Sequence, residues 1–275
     1  MIFLFWNLRG KRLEEQVAAL AEDHDADVLL LVENEIPVVD LLGAINRNAT
    51  SPYMLDNQEL NEKVSLLSRL PEGRIIPLAD DPILGVSVRA IVPVVGNEII
   101  LAVAHLPSKL YAKEMDQMVC CQQTALLVDE AEKSRGHYRS VVVGDLNLNP
   151  FESGAVAASA LHGVMSRRIA EGQTRSLKGK AHRFFYNPMW ARFGDHTLGP
   201  PGTYYYRSAE EVCYFWHTFD QVLVRPDLLK CFHDEELKVL TKAGAMDLQT
   251  EATIPDVSGA SDHFPLVFQL HLELL

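Results

Sequence analysis

Long apolar runs are missing from this 275-residue sequence, as are paired cysteines, repeats and any overall basic excess. A membrane-crossing helix needs roughly 20 consecutive apolar residues. The longest runs here, such as VLLLV at Val28 to Val32, have the length of buried strands, so no membrane span is expected. The four cysteines, Cys120, Cys121, Cys213 and Cys231, form no CxxC pair and no disulfide framework, which fits a reducing cytoplasm. The opening MIFLFWN has no basic residues before it and no small-residue cleavage site after it, so it reads as a first strand rather than a signal peptide. No 20- to 50-residue repeat or low-complexity linker occurs, which excludes solenoids and arrays. A formal net charge of −12 argues against a protein that coats nucleic acid by bulk attraction.

The chain does have material for a sizeable core: 48% of its residues are hydrophobic and 23% charged, the balance of a soluble globular protein. Its length suits one domain, residues 1–275. Strand-like runs recur at Ile2–Trp6, Val28–Val32, Val64–Ser68, Val86–Val92, Ile99–Ala104, Val141–Val143, Gln221–Val224 and Leu266–Leu270. Helical spacing is clearest from Lys11 to His24 and from Leu110 to Arg135, where Gly136 supplies a stop, and Pro37 opens a shorter helix ending near Ile45. Strand clusters mixed with strand-to-helix units predict a layered α/β protein with mixed sheets rather than a regular barrel. Between about residues 151 and 218 the pattern weakens into Gly, Pro, aromatic and basic residues, and long irregular segments inside a compact domain tend to be functional. From Arg167 to Arg207 eight basic residues face two acidic ones, a net of +6 that leaves −18 for the remainder.

Chemistry concentrates where strands end. In SVVVGDLNLNP, Asp145 and Asn147 follow a buried-type strand two residues apart. Extended residues i and i+2 face the same way, so both would enter one site, where a hard cation takes oxygen ligands and a carboxylate can hold water. The alternative is a turn whose Asp and Asn bond their own backbone. Asn7, His105, Asp220 and the Ser261–Asp262–His263 triplet likewise sit at strand ends. Each singly is also compatible with a structural role, and in VENE either Glu33 or Glu35 could be the inward carboxylate.

Taken together, WN, VENE, AHLPS, GDLNLNP, FDQ and SDH, in this order from Trp6 to His263, resemble the endonuclease/exonuclease/phosphatase superfamily. The resemblance implies an α/β (α+β) four-layer α/β/β/α sandwich, two mixed sheets face to face with helices outside. It implies Glu33 as principal Mg²⁺ or Mn²⁺ ligand, assisted by Asn7 and Asp262. Asp145 would orient or deprotonate the attacking water, Asn147 would bond the phosphate or the nucleophile, and His263, held by Asp220, would contact the phosphate or share the base role. His105 would act on the other side of the phosphate. Some members pair that first histidine with a glutamate, for which Glu62 is the candidate. The activity implied is a metal-dependent phosphodiester hydrolase.

For the substrate, HRFFYNPMW and GTYYYR set arginines beside rings. Cations track phosphates and rings stack on unpaired bases, which nominates Arg183, Arg192 and Tyr204 as substrate contacts and nucleic acid, DNA before RNA, as partner. The alternative makes these rings core and the arginines a solvated rim. A phosphorylated small molecule or lipid headgroup is the second substrate class, favoured by the overall acidity. A catalytically dead binding module is disfavoured by the intact Glu33, Asp145, Asn147, Asp262 and His263.

Overall fold

The computed structural model describes residues 1–56, 63–109, 113–197 and 199–275. The candidate Glu62 and the predicted helix start at Leu110 lie outside them. The first sheet is built on parallel strands β1 (Ile2–Asn7) and β2 (Val28–Val32), with Phe3 opposite Val28 and Asn7 opposite Val32. Strand β3 (Val64–Ser68) adds antiparallel to β2, and short segments at Met54–Leu55 and Lys238–Val239 close the two edges. The second sheet runs β4 (Ile75–Asp81), β5 (Val86–Ile91), β6 (Ile99–His105), β7 (Ser140–Asp145) and β8 (Asp220–Val224), followed by Phe185–Tyr186 and Gly163–Val164. Strand β9 (Leu266–Gln269) returns to the first sheet antiparallel to β1.

Residue alternation shows why the sheets stack. Ile99, Leu101 and Val103 join the core shared by the two sheets, while Ile100, Ala102 and Ala104 pack with Cys121, Val128 and Ala131 of helix α1 (Glu114–Arg135). Successive side chains leave a strand on opposite faces, so a strand that is apolar at every position serves two layers at once. Helices α2 (Glu14–Asp23) and α3 (Val38–Ile45) cover the first sheet, burying Val17, Leu20 and Ala21, and Leu41, Ala44 and Ile45, at the three- and four-residue intervals of one helical face. The result is the four-layer α/β/β/α sandwich the resemblance implies.

Helix α1 brackets β7. Near its start Gln117 donates to the Asn147 carbonyl at 2.7 Å, and near its end buried Glu132 accepts from Ser140 at 2.7 Å and from Arg225 at 2.8 Å. Gly136 ends the helix with φ +72°, a left-handed conformation that glycine adopts without a Cβ clash. Strand β4 was not among the sequence-predicted strands. Pro77 interrupts its pattern, and the register shifts between Pro77 and Ala79, which proline tolerates at a sheet edge.

Candidate active site

Parallel pairing delivers the chemistry to one edge. Asn7 ends β1, and Glu33 follows β2 directly. In the second sheet His105 lies opposite Asp145 on parallel β6 and β7, and Asp220 lies opposite Asp145 on antiparallel β8. Asp262 and His263 precede β9, whose Leu266 pairs with Phe5, so they also reach this edge. Trp6 Nε1 donates to the His263 carbonyl at 2.8 Å, and Ser261 Oγ donates to the Asn7 carbonyl at 2.6 Å.

Local backbone sharpens the placement. Gly144 approaches the neighbouring strand so closely that a Cβ there would sit 1.9 Å from the Ala104 carbonyl oxygen. Glu33 at φ +47° and Asn147 at φ +53° occupy the left-handed region, a conformation that costs a residue with a Cβ on the order of 1–2 kcal/mol and that clusters at functional sites.

One amide nitrogen, Asn7 Nδ2, donates to Glu33 at 3.1 Å and to Asp145 at 3.0 Å, so the two carboxylates flank a single atom. Glu33 also receives His105 Nε2 at 3.2 Å. The other Asp145 oxygen accepts the Asn147 N–H at 2.9 Å. One Asp145 oxygen thus shapes the turn, as the turn reading expects, and the other faces Asn7 at the strand-end cluster. Buried His263 Nδ1 lies 2.8 Å from Asp220, and its Nε2 lies 3.8 Å from Asp145. Tyr204 stacks obliquely on His263 at 4.7 Å between ring centroids.

Electrostatics differentiate these groups. The hydrogen bond from His105, with a further one from Asn7, lowers Glu33 to about 2 against the opposing effect of partial burial. Burial opposes charge on His263, but the carboxylates of Asp220 and Asp145 outweigh it and raise the ring to about 10. Burial raises Asp220 as well, so the two act as one coupled pair in which the carboxylates favour the proton on the ring.

The donor set fits a hard divalent cation. Glu33 and Asp262 offer carboxylate oxygens, the ligands Mg²⁺ and Mn²⁺ take, whereas Asn7 turns Nδ2 toward the carboxylates and its Oδ1 accepts from Arg9 N at 2.9 Å, so its amide would turn over to add a third oxygen. Asp145, Asp220 and His263 also have ligand atoms within 4.8 Å of one another. However, Asp220 already holds that imidazole in the interior, whereas the Glu33 side chain is 41% exposed and reachable. Asp262 is held at 3.2 Å by Arg9 Nε, so it joins this edge as an ion pair rather than as a free carboxylate.

The structure answers the VENE ambiguity in favour of Glu33. It does not bring Arg183 and Arg192 to the site. The Arg183 carbonyl accepts from Arg225, which directly follows Val224 at the end of β8 remote from Asp220, and the Arg183 guanidinium bonds Gln173 and covers the Tyr138 ring at 3.5 Å. Arg192 donates to the Asp234 carbonyl, and the Asp234 carboxylate in turn binds Arg167 and the hydroxyl of Tyr186, the residue that pairs with Val224. Structural acceptors consume these cations. Phe184, Phe185 and Tyr186 are buried, Trp190 meets the Phe151 ring at 6.1 Å, and GTYYYR brings Tyr204 against His263.

Sequence reasoning missed Arg9, Asn149 and His217. Asn149 ties the Asp145 turn to the strand carrying Asp220, accepting from Thr218 N at 3.0 Å and donating to His217 Nδ1 at 3.1 Å. Burial, with Lys109 nearby, lowers His217 to about 4, so it accepts as a neutral ring. The second Asn of GDLNLNP was the available signal for this link; nothing local marked Arg9.

The Endonuclease/Exonuclease/phosphatase family model matches residues 4–263. The chain belongs to that family. Its members are hydrolases that act on phosphodiester bonds. Among solved structures, the chain is similar to an AP endonuclease from Archaeoglobus fulgidus at 13% identity and TM-score 0.55, covering 98% of this chain and 99% of that one. A 3'-5' exonuclease from Neisseria Meningitidis shares 16% identity at TM-score 0.54, over 98% and 99% of the two chains. D. rerio TDP2 complexed with single strand DNA product shares 14% at TM-score 0.54, over 98% and 97%. Likeness at such identity concerns the fold. No curated protein matches the sequence. Among the described residues, no helix is long and apolar enough to cross a membrane.

Proposed function

We propose that the protein is a divalent-metal-dependent nuclease that hydrolyses phosphodiester bonds in nucleic acid, DNA ahead of RNA, with residues 1–275 acting as one catalytic domain. The observation that carries the substrate class is a row of rings leading away from His263. Tyr204 stacks on Phe219 at 5.2 Å, Phe219 on His217 at 4.6 Å, and the row continues through Tyr214 to Phe151 at 6.0 Å, with Lys109, which also pairs with Glu152, lying 5.3 Å from the Phe219 ring centre. Tyr214 and Phe151 are exposed. Rings beside a cation suit unpaired bases and their phosphates, and this row replaces Arg183 and Arg192 as the substrate-binding surface.

Glu33, with Asn7 and Asp262, would hold Mg²⁺ or Mn²⁺, which would supply Lewis-acid neutralisation of phosphate charge. Asp145, oriented by Asn7 and by its own turn, positions the attacking water and takes its proton. With the carboxylates of Asp220 and Asp145 favouring the proton on its ring, His263 donates to a phosphate oxygen and stabilises the charge that develops there, and Asp145 acts as the base. Asp220 holds the ring in place and keeps it charged. Asn147, whose Nδ2 donates to the Leu106 carbonyl at 2.9 Å, offers its second amide hydrogen to the phosphate, and His105 serves the leaving-group side.

The test is cleavage of single-stranded DNA, duplex DNA, RNA and inositol phosphates with Mg²⁺, Mn²⁺ or EDTA. Strand cleavage abolished by EDTA and by Asp145→Asn is expected. Turnover of the small phosphates alone would overturn the nuclease reading in favour of a phosphatase, which the net charge of −12 and the structural use of Arg167, Arg183 and Arg192 support.

A further inference from the structure

A second cluster of potential ligands stands at the opposite end of the first sheet. Phe232 bridges Leu270 antiparallel, just beyond the point where Gln269 pairs with Ile2 at the start of β1. His233 and His271 are therefore diagonal neighbours across this bridge, and their rings stack with centroids 4.7 Å apart and planes inclined by 29°. His233 also caps the tight turn Asp234–Glu236. Residues three apart in such a turn eclipse, which carries the Glu236 carboxylate back over both rings. Its Oε2 lies 2.8 Å from His271 Nε2 and 3.9 Å from His233 Nδ1.

The three ligand atoms lie within 4.8 Å of one another. Side-chain exposures of 43% for His233, 30% for Glu236 and 22% for His271 leave the cluster open to solvent. His271 Nδ1 also meets Glu273 at 3.2 Å. A carboxylate on the remote ring nitrogen fixes the tautomer and turns the other nitrogen's lone pair toward the cluster, the arrangement that orients metal-binding imidazoles. Without an ion, Nε2–H donates to Glu236 and Nδ1–H to Glu273, and a bound metal takes the place of the Nε2 proton.

We propose that His233, Glu236 and His271 bind a divalent transition metal of the zinc class, at a site separate from the catalytic edge. Two imidazoles and one carboxylate, with a fourth position left to water, suit Zn²⁺. Mg²⁺ prefers oxygen donors alone and is discriminated against here. The bound ion ties the Asp234–Glu236 turn to the segment carrying His271, and because it competes with protons for imidazole nitrogens its affinity falls as pH drops.

The test is calorimetric titration of the full chain with Zn²⁺ in excess Mg²⁺, on an Asp145→Asn background that removes a catalytic-edge carboxylate, with Co²⁺ absorption as a spectroscopic check. About one Zn²⁺ per chain is expected, lost in His233→Ala and His271→Ala. Glu273→Gln weakens binding by about 10- to 100-fold. Glu236→Gln preserves side-chain shape and, with circular dichroism unchanged, must also lose the ion. Wild-type stoichiometry and affinity in any of His233→Ala, His271→Ala and Glu236→Gln would overturn the proposal, as would no Zn²⁺ binding that survives excess Mg²⁺.

Discussion

Replacing Asp220 with Asn removes the carboxylate that keeps His263 charged while preserving its shape. In the wild-type protein the ring is raised to about 10, some 3 to 4 pH units above its ordinary value near 6.5, or about 5 kcal/mol in favour of the imidazolium. Asp220 contributes both the direct hydrogen bond at 2.8 Å and the nearest negative charge; Asp145 stands farther off at 3.8 Å. Once Asp220 is neutral, burial is opposed only by the more distant charges of Asp145 and Asp262, and the ring falls toward its ordinary value or below. At pH 7.5 a ring of pKa about 6.5 is protonated about one-tenth of the time, so an activity that needs the imidazolium drops at least about tenfold and recovers as pH is lowered toward 5.5. The linked stability follows the same sign. The folded-state pKa lies above the unfolded one, so the stabilisation is complete below about pH 6.5 and is lost as pH rises through about 10. The assays are the histidine ring titration followed by NMR and the pH dependence of kcat for both proteins. The reasoning is refuted if wild-type His263 titrates near 6.5, or if Asp220→Asn leaves the pH profile of kcat unmoved.

Four shorter predictions follow from the same geometry. Arg225→Met leaves Glu132 buried without its partner and costs about 3–5 kcal/mol in urea unfolding, much of it restored when Glu132→Met is added. Gly144→Ala drives a Cβ against the Ala104 carbonyl and lowers stability by about 3 kcal/mol or more, measured by thermal melting. Phe151→Ala and Tyr214→Ala weaken single-stranded oligonucleotide binding by about 1–3 kcal/mol per lost stack, read as a higher KM, and leave hydrolysis of a small chromogenic phosphodiester unchanged. Chelation by EDTA stops cleavage while circular dichroism stays native, because sheet and core contacts hold the strand ends together without the ion.

The legible parts of the sequence were those governed by periodicity. Val28–Val32 and Val64–Ser68 form strands with the bounds their composition predicts, and α1 ends where Gly136 supplies a left-handed residue. Site residues at strand ends were legible for a related reason: Asn7, Glu33, His105 and Asp145 each close a run of buried residues, and parallel pairing turns that shared position into shared space. Strand β4 was illegible because Pro77 and a bulge break its alternation, and most of its residues are only partly buried. Arg9 was illegible because its significance lies in Asp262, some 250 residues later in the chain, and no local pattern encodes that pairing.

The basic segment shows where counting charges ends and counting partners begins. A net of +6 over Arg167 to Arg207 is a statement about formal charge, but a guanidinium attracts phosphate only to the extent that its donors remain uncommitted. Arg167 spends its donors on the Leu229 and Phe232 carbonyls and on Asp234, Arg192 on the Asp234 carbonyl, and Arg183 on Gln173 and the face of Tyr138. All three act as cross-braces where the segment returns to β8, at the end remote from Asp220. The segment's contribution to the catalytic edge is instead Tyr204, placed by its backbone bridge to His263. Recognition at that edge therefore rests on ring faces and a small number of cations, which predicts binding less sensitive to salt than the formal charge of the segment implies.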